Sequence, residues 1–325
     1  MKMDRDARRM KVEVMVSIIC NAYNHERYIS DALDGFLKQK TTFAYEVLVH
    51  DDASTDGTAD IIRDYARRYP DIVKPICQTE NQYSKGIGIS ENFQYPRAAG
   101  KYIAICEGDD YWTDPEKLQK QVDALERNPA CDICAHAATA TRAEQNVKTV
   151  APAETDCIFT PEDVIRGGGG FVVTNSLMYR ASLMHDQPPF RQLLKLDYTL
   201  QIYGALRGGM LYLSDNMSVY RLMTEGSWSR RMGQAPARRL QHLEKVKKML
   251  LQLDVDTDRQ YRDVIRERLL NTDFVIRNMQ GKYWDILRDP EMMKMLPLKQ
   301  KITTAINAAG SVIGKFAGKK TRKEE

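Results

Sequence analysis

Residues 12–37 read VEVMVSIICNAYNHERYISDALDGFL, and this stretch sets the pattern of the first half of the chain. Residues 12–20 are a nearly continuous apolar run, as expected of a strand buried on both faces. A polar loop follows, Asn21-Ala22-Tyr23-Asn24-His25-Glu26, after which Tyr28, Ile29, Ala32, Leu33, Phe36 and Leu37 recur at helical spacing. The same unit then repeats. Residues 45–50 (YEVLVH) make a second strand that ends at Asp51-Asp52, and Ser54-Thr55-Asp56 supply capping chemistry for a helix carrying Ala59, Ile62 and Ala66. Residues 72–77 and 102–106 read as a third and a fourth strand, and Thr113-Asp114-Pro115 opens another helix. Strands alternating with helices imply an α/β fold with a mostly parallel central sheet and helices on both faces. In such sheets ligands bind beyond the carboxyl ends of the strands. Polar clusters stand at three such ends, at residues 21–23, 51–52 and 107–110, and point to one site.

The second half is less regular. Gly167 to Gly170 precede a strand-like FVVTNSLMYR (residues 171–180). A helix is expected over 197–207, strands over 210–213 and 218–221, and a helical region rich in Arg, Leu and Met from about 231 to the end.

With 43% hydrophobic and 28% charged residues, the 325-residue chain is neither disordered nor membrane-spanning in composition. The charged start, residues 1–11, lacks the apolar run of a signal peptide, so a cytoplasmic location is expected. Six cysteines are too few for a disulfide framework at this length, and a lone CxxC pair, Cys131 and Cys134, reads as structural. Net charge is +4, but residues 298–325 hold seven Lys/Arg against two Glu, a local +5 that leaves about −1 for the rest. A near-neutral body excludes a nucleic-acid-binding surface there, and the basic tail suits an anionic partner.

Glu107-Gly108-Asp109-Asp110 is the strongest single motif. Adjacent carboxylates beyond a buried strand repel one another, and a divalent ion shared with substrate phosphates would compensate. A solvated turn is the alternative reading. The order and spacing of VSIICNAYNHERYISDAL, VLVHDDASTDGT and AAGKYIAICEGDDYWTDPEKL resemble the family-2 glycosyltransferases, enzymes of GT-A fold. The resemblance runs over about 16–125 and again over 197–229, roughly two thirds of the chain.

The resemblance implies a GT-A domain over 1–230, with a nucleotide-sugar-binding half (12–110) and an acceptor half (111–230). A C-terminal helical region (231–325) then ends in a basic amphipathic tail (298–325). It implies that Asn21, Ala22 and Tyr23 cradle the nucleotide base, that Asp52 accepts a hydrogen bond from it, and that Asp109 faces the ribose. Asp110 would hold the metal, Mn²⁺ or Mg²⁺, on the donor diphosphate. Asp52 and Tyr23 suit a pyrimidine, hence a UDP-sugar, with GDP and dTDP donors still open. In LLKLDYTLQIYGAL (193–206), Asp197 corresponds to the base that deprotonates the acceptor hydroxyl of an inverting enzyme, although Leu196 stands where an acidic residue or glycine is usual. Asp197 as a plain helix cap is the alternative.

Arg221 and the segment through Trp228 correspond to a loop that closes over donor and acceptor, and Trp228 suits either stacking on a sugar or a core position. No histidine follows Arg221, so the resemblance names no third metal ligand. No QxxRW motif is present, which favours transfer of a single sugar to a glycan or lipid-linked acceptor in surface polysaccharide synthesis.

In the tail, Ile302, Ala305, Ile306, Ala309, Val312, Ile313 and Phe316 share one helical face, flanked by lysines. That face either lies on the inner face of the cytoplasmic membrane as a peripheral anchor or packs on the body. Two other functions compete with glycosyl transfer. One is a sugar nucleotidyltransferase, which would carry a Gly-rich basic loop after the first strand. The other is a non-catalytic nucleotide-sugar-binding protein.

Overall fold

A computed structural model describes residues 13–143, 145–224 and 227–320, excluding the side chains of 146, 228, 229 and 311–320. Two compact units emerge, one of residues 1–187 with 200–230, the other of 188–199 with 231–325.

The first unit is built on a ten-stranded sheet. Its strands are β1 (Val14–Ala22), β2 (Ala44–Asp51), β3 (Val73–Cys77), β4 (Tyr102–Ile105), β5 (Tyr111–Trp112), β6 (Ile133–Arg142), β7 (Gln145–Val150), β8 (Cys157–Phe159), β9 (Met178–Arg180) and β10 (Met210–Arg221). The order is β3-β2-β1-β4-β9-β6-β10-β5, with β7 beside β6 and β8 beside β10. Strands β3, β2, β1 and β4 run parallel, as do β6 and β10, and β9 joins the two sets antiparallel to both.

The expected α/β class follows from the sequence period. Val16, Ile18, Val47 and Val49 are fully buried because strands β1 and β2 are covered on both faces. Helices α1 (Ile29–Leu37), α2 (Thr58–Arg68), α3 (Lys117–Arg127) and α4 (Pro161–Gly167) connect the strands. Ile29, Leu33 and Phe36 of α1 enter the main core with Trp112, whose ring meets Phe36 edge-on at 4.8 Å. Gly100 marks the close approach at the start of β4, where a Cβ would stand 2.4 Å from the Ser17 backbone nitrogen.

Two expectations fail locally. Residues 210–221 form one strand, because the polar Ser214-Asp215-Asn216 is absorbed as a bulge where the β6 register shifts. Of residues 171–180 only the last three are strand, and Thr174–Ser176 is a 3₁₀ turn whose Asn175 amide donates to the Val219 carbonyl (2.8 Å).

The second unit is helical: α5 (Pro189–Leu193), α8 (Pro236–Asp256), α9 (Arg262–Met279), α10 (Tyr283–Leu287), α11 (Pro290–Met295) and α12 (Leu298–Lys320). Helices α6 (Asp197–Ala205) and α7 (Trp228–Gln234) cross the boundaries between the units. Asp256 of α8 caps α5 through the Phe190 N–H (2.8 Å), and Ile286, Met292 and Leu296 form a small core of their own. Among the described residues no helix is long and apolar enough to cross a membrane.

Candidate active site

The carboxyl ends of β1, β2, β4 and β10 meet in the first unit. Backbone bonds stitch their loops together: Asp52 N–H donates to the Ala22 carbonyl (3.0 Å), and Gly108 N–H to the Asn21 carbonyl (2.9 Å). In the loops after β1 and β2, the non-glycine residues Asn24 (56°) and Ala53 (59°) adopt positive φ. That strain is held by reciprocal bonds, since Ser54 Oγ accepts from Asn24 N–H (2.9 Å) and Asn24 Oδ1 from Thr55 N–H (2.8 Å). At Gly108 a Cβ would lie 2.9 Å from His25 Nδ1, so only glycine lets the acidic loop sit this close to the first one.

The acidic loop is anchored by Arg221. Its backbone N–H donates to Asp110 Oδ1 (2.8 Å), and its guanidinium to the Asp109 carbonyl (3.0 Å) and to Asp31 Oδ2 (2.6 Å). The guanidinium carbon also lies 5.0 Å and 4.5 Å from the ring centres of Tyr28 and Tyr111. Thr224 Oγ1 donates to Asp109 Oδ2 (2.6 Å). Asp110 is 1% exposed and Asp109 8%. Burial, and next the charge of Asp109, push the Asp110 carboxyl well above the usual carboxylate range, while the Arg221 N–H pulls the other way.

The loop therefore holds buried negative charge that its protein partners only partly offset, and Asp110 Oδ2 accepts no hydrogen bond from the described residues. Hard carboxylate oxygens in this state fit Mg²⁺ or Mn²⁺. Among the described residues no group of three His, Cys, Asp or Glu side chains forms a complete cage. An ion here would need donor phosphates and water to finish its shell, as Mg²⁺ commonly does.

The other proposed donor residues have structural partners. Asp52, 4% exposed, accepts from the N–H groups of Gln82 (2.8 Å) and Tyr83 (3.0 Å), so it caps the 3₁₀ turn Tyr83–Lys85. Each of its oxygens keeps a lone pair for a further donor. Asn21 donates to Ser90 Oγ (3.1 Å), Ala22 is buried, and Tyr23 is 38% exposed.

Sequence reasoning missed Gln94. Fully buried, its amide donates to the Cys20 and Leu48 carbonyls (3.1 and 3.0 Å), and its oxygen accepts from Arg97 (2.6 Å). This pins β1 and β2 beneath the site. No periodicity marks it in ENFQYPR; its polarity between apolar strands is the one available signal. Asp31 and Thr224 were missed for a similar reason, their partners lying 190 and 115 residues away.

Asp197 belongs to the second unit, in the first turn of α6, and its Oδ1 accepts from Tyr198 N–H (2.7 Å). A carboxylate is favoured at that helix end. Arg191, 3% exposed, steadies the approach by donating to the Leu196 carbonyl (3.1 Å) and Thr199 Oγ1 (3.0 Å). His242 of α8 is within electrostatic reach of Asp197, and burial lowers its pKa. Trp228 begins α7, but its side chain lies outside the described residues. Cys131 and Cys134 are free and buried.

The sheet and its flanking helices form a fold of GT-A type. The profile of glycosyl transferase family 2 matches residues 17–185, and the chain belongs to that family. It is 39% identical over 222 residues to an uncharacterized protein of Mycobacterium tuberculosis, covering 66% of this chain and 60% of the relative's length. It is 33% identical over 117 residues to the Escherichia coli UDP-Glc:alpha-D-GlcNAc-diphosphoundecaprenol beta-1,3-glucosyltransferase WfgD, covering 36% of this chain and 43% of that one. Among solved structures, S. aureus TarS 1-349 in complex with UDP-GlcNAc aligns with a TM-score of 0.62 at 21% identity, covering 92% of this chain and 80% of that one.

Proposed function

We propose that this enzyme is an inverting transferase that moves one sugar from a nucleoside-diphosphate sugar, best a UDP-sugar, to a hydroxyl of a glycan or lipid-linked acceptor in surface polysaccharide synthesis. The observation that carries the reading is the buried acidic loop, residues 107–110, clamped by Arg221 at the carboxyl ends of parallel strands. TarS supports the nucleotide, through the UDP-GlcNAc of its complex, and WfgD supports the acceptor, through the diphosphoundecaprenol in its name. The reaction would run at the inner face of a membrane, where such an acceptor is presented.

In this reading Asn21, Ala22 and Tyr23 hold the base, Asp52 accepts from it, Asp109 faces the ribose, and Asp110 holds Mn²⁺ or Mg²⁺. When bound, that ion supplies positive charge to the departing diphosphate. Asp197 takes the proton of the acceptor hydroxyl, which attacks the anomeric carbon on the face opposite the diphosphate. Arg221 and Trp228 border the closing segment, with Trp228 on the acceptor.

A thermal-shift screen of nucleotide-sugars with and without Mn²⁺ tests the donor side. One donor should stabilise the protein only with metal, and Asp110→Ala should remove the effect. NMR of the product anomer tests the stereochemistry, and retained configuration would exclude direct displacement.

A further inference from the structure

Helix α12 packs against its neighbour with the wrong face for an ordinary amphipathic helix. It lies on α10 and buries Thr304 (2% exposed) and Ala308 (0%). Leu298, Ile302 and Ile306 are left 72%, 51% and 65% exposed, and Ala305 and Ala309 between them are exposed as well. These five positions recur at i, i+4, i+7, i+8 and i+11, one unbroken stripe along the helix. By sequence period the stripe continues to Val312, Ile313 and Phe316, whose side chains lie outside the described residues. A helix kept only for packing would turn this stripe inward, since contiguous exposed apolar surface marks an interaction site.

Charge selects the partner. The stripe lies in the segment holding seven Lys/Arg against two Glu, on a chain otherwise near neutral. Two copies meeting through this stripe would bring two tails of +5 together, which is repulsive. An anionic bilayer accepts the apolar stripe below the headgroups and the lysines among them.

We infer that Leu298, Ile302, Ala305, Ile306 and Ala309 form a lipid-docking face that seats the C-terminal helix in the interface of an anionic membrane. The inference rests on the proposed function only for its purpose, bringing the enzyme to a lipid-linked acceptor.

Co-sedimentation of the full chain with vesicles tests it, using phosphatidylcholine alone and phosphatidylcholine with phosphatidylglycerol. The wild type should pellet with the phosphatidylglycerol vesicles and less so as salt is raised. Ile302→Ser with Ile306→Ser should weaken that partition about tenfold, while Gln300→Ser with Thr303→Ser, on exposed positions off the stripe, should leave it within about twofold. All four side chains are exposed, so folding is spared, and matching circular dichroism melts would confirm it. Equal pelleting of wild type and the isoleucine variant would overturn the proposal, as would equal binding to both vesicle types. A concentration-dependent dimer in lipid-free solution, lost in the isoleucine variant, would assign the face to a second copy instead. Donor hydrolysis in lipid-free solution should be the same in all three proteins. Its absence from the wild type would count against glycosyl transfer and leave the membrane result standing.

Discussion

Replacing Arg221 by methionine keeps most of the buried stem but removes the fork that ties Asp109 to α1. The guanidinium bond to the Asp109 carbonyl (3.0 Å) is buried and charge-assisted, contributing about 1.5–2 kcal/mol. The bond to Asp31 (2.6 Å) reaches a carboxylate whose side chain is 52% exposed, so it is credited with only about 0.5–1 kcal/mol. Stacking between Tyr28 and Tyr111 adds about 0.5–1 kcal/mol for each ring. The methionine thioether recovers part of the ring contact. The net loss is therefore about 2–4 kcal/mol. Urea unfolding should show a loss of that size. Calorimetric titration of the donor with Mn²⁺ should show at least about tenfold weaker binding, because ordering residues 107–110 is then charged to binding. Arg221→Lys keeps the charge but cannot fork between two acceptors, and should fall between the two proteins. An Arg221→Met enzyme with wild-type stability and wild-type donor affinity would refute the clamp.

Three further outcomes follow from the same geometry. Asp110→Asn keeps an acceptor for the Arg221 N–H while removing a buried charge, so the metal-free protein should melt at least about 2 °C higher and lose metal-dependent donor binding. A lower melting point would count against uncompensated charge in the loop. Asp197→Asn should abolish transfer and spare donor binding, and measurable transfer at the wild-type rate would remove Asp197 as the base. Lys117 is fully buried, with Nζ 3.6 Å from the Trp112 ring centre, and burial lowers its pKa from 10.5 to about 7. Between those values the unfolded chain carries the proton and the folded chain does not, so stability should rise with pH across the window and decline as pH falls towards 7. Lys117→Met should flatten that slope in melting-temperature profiles; parallel profiles would sink the assignment.

The first half of the sheet was legible because its signals are local. Apolar runs such as 12–20 report strands buried on both faces, and the polar residues that end them fall at the ligand-binding edge in any parallel sheet. Asn21, Asp52, Asp109 and Asp110 could be named on that ground, supported by the resemblance. The pairing of β6 with β10 and the single long β10 were not legible, since Ser214-Asp215-Asn216 carries the same residues whether it is a turn or a bulge.

By itself the sequence determined which residue types stand at the strand ends and that the tail is basic and amphipathic. Only the tertiary structure decided what those residues touch: Arg221 clamping Asp109 to Asp31, Gln94 bracing β1 against β2, and Asp52 capping a turn. It also decided that the apolar stripe of α12 faces outward while Thr304 and Ala308 face in. Periodicity reports that a helix has two faces; which one is buried depends on the neighbour it meets, and that contact is not encoded within the helix.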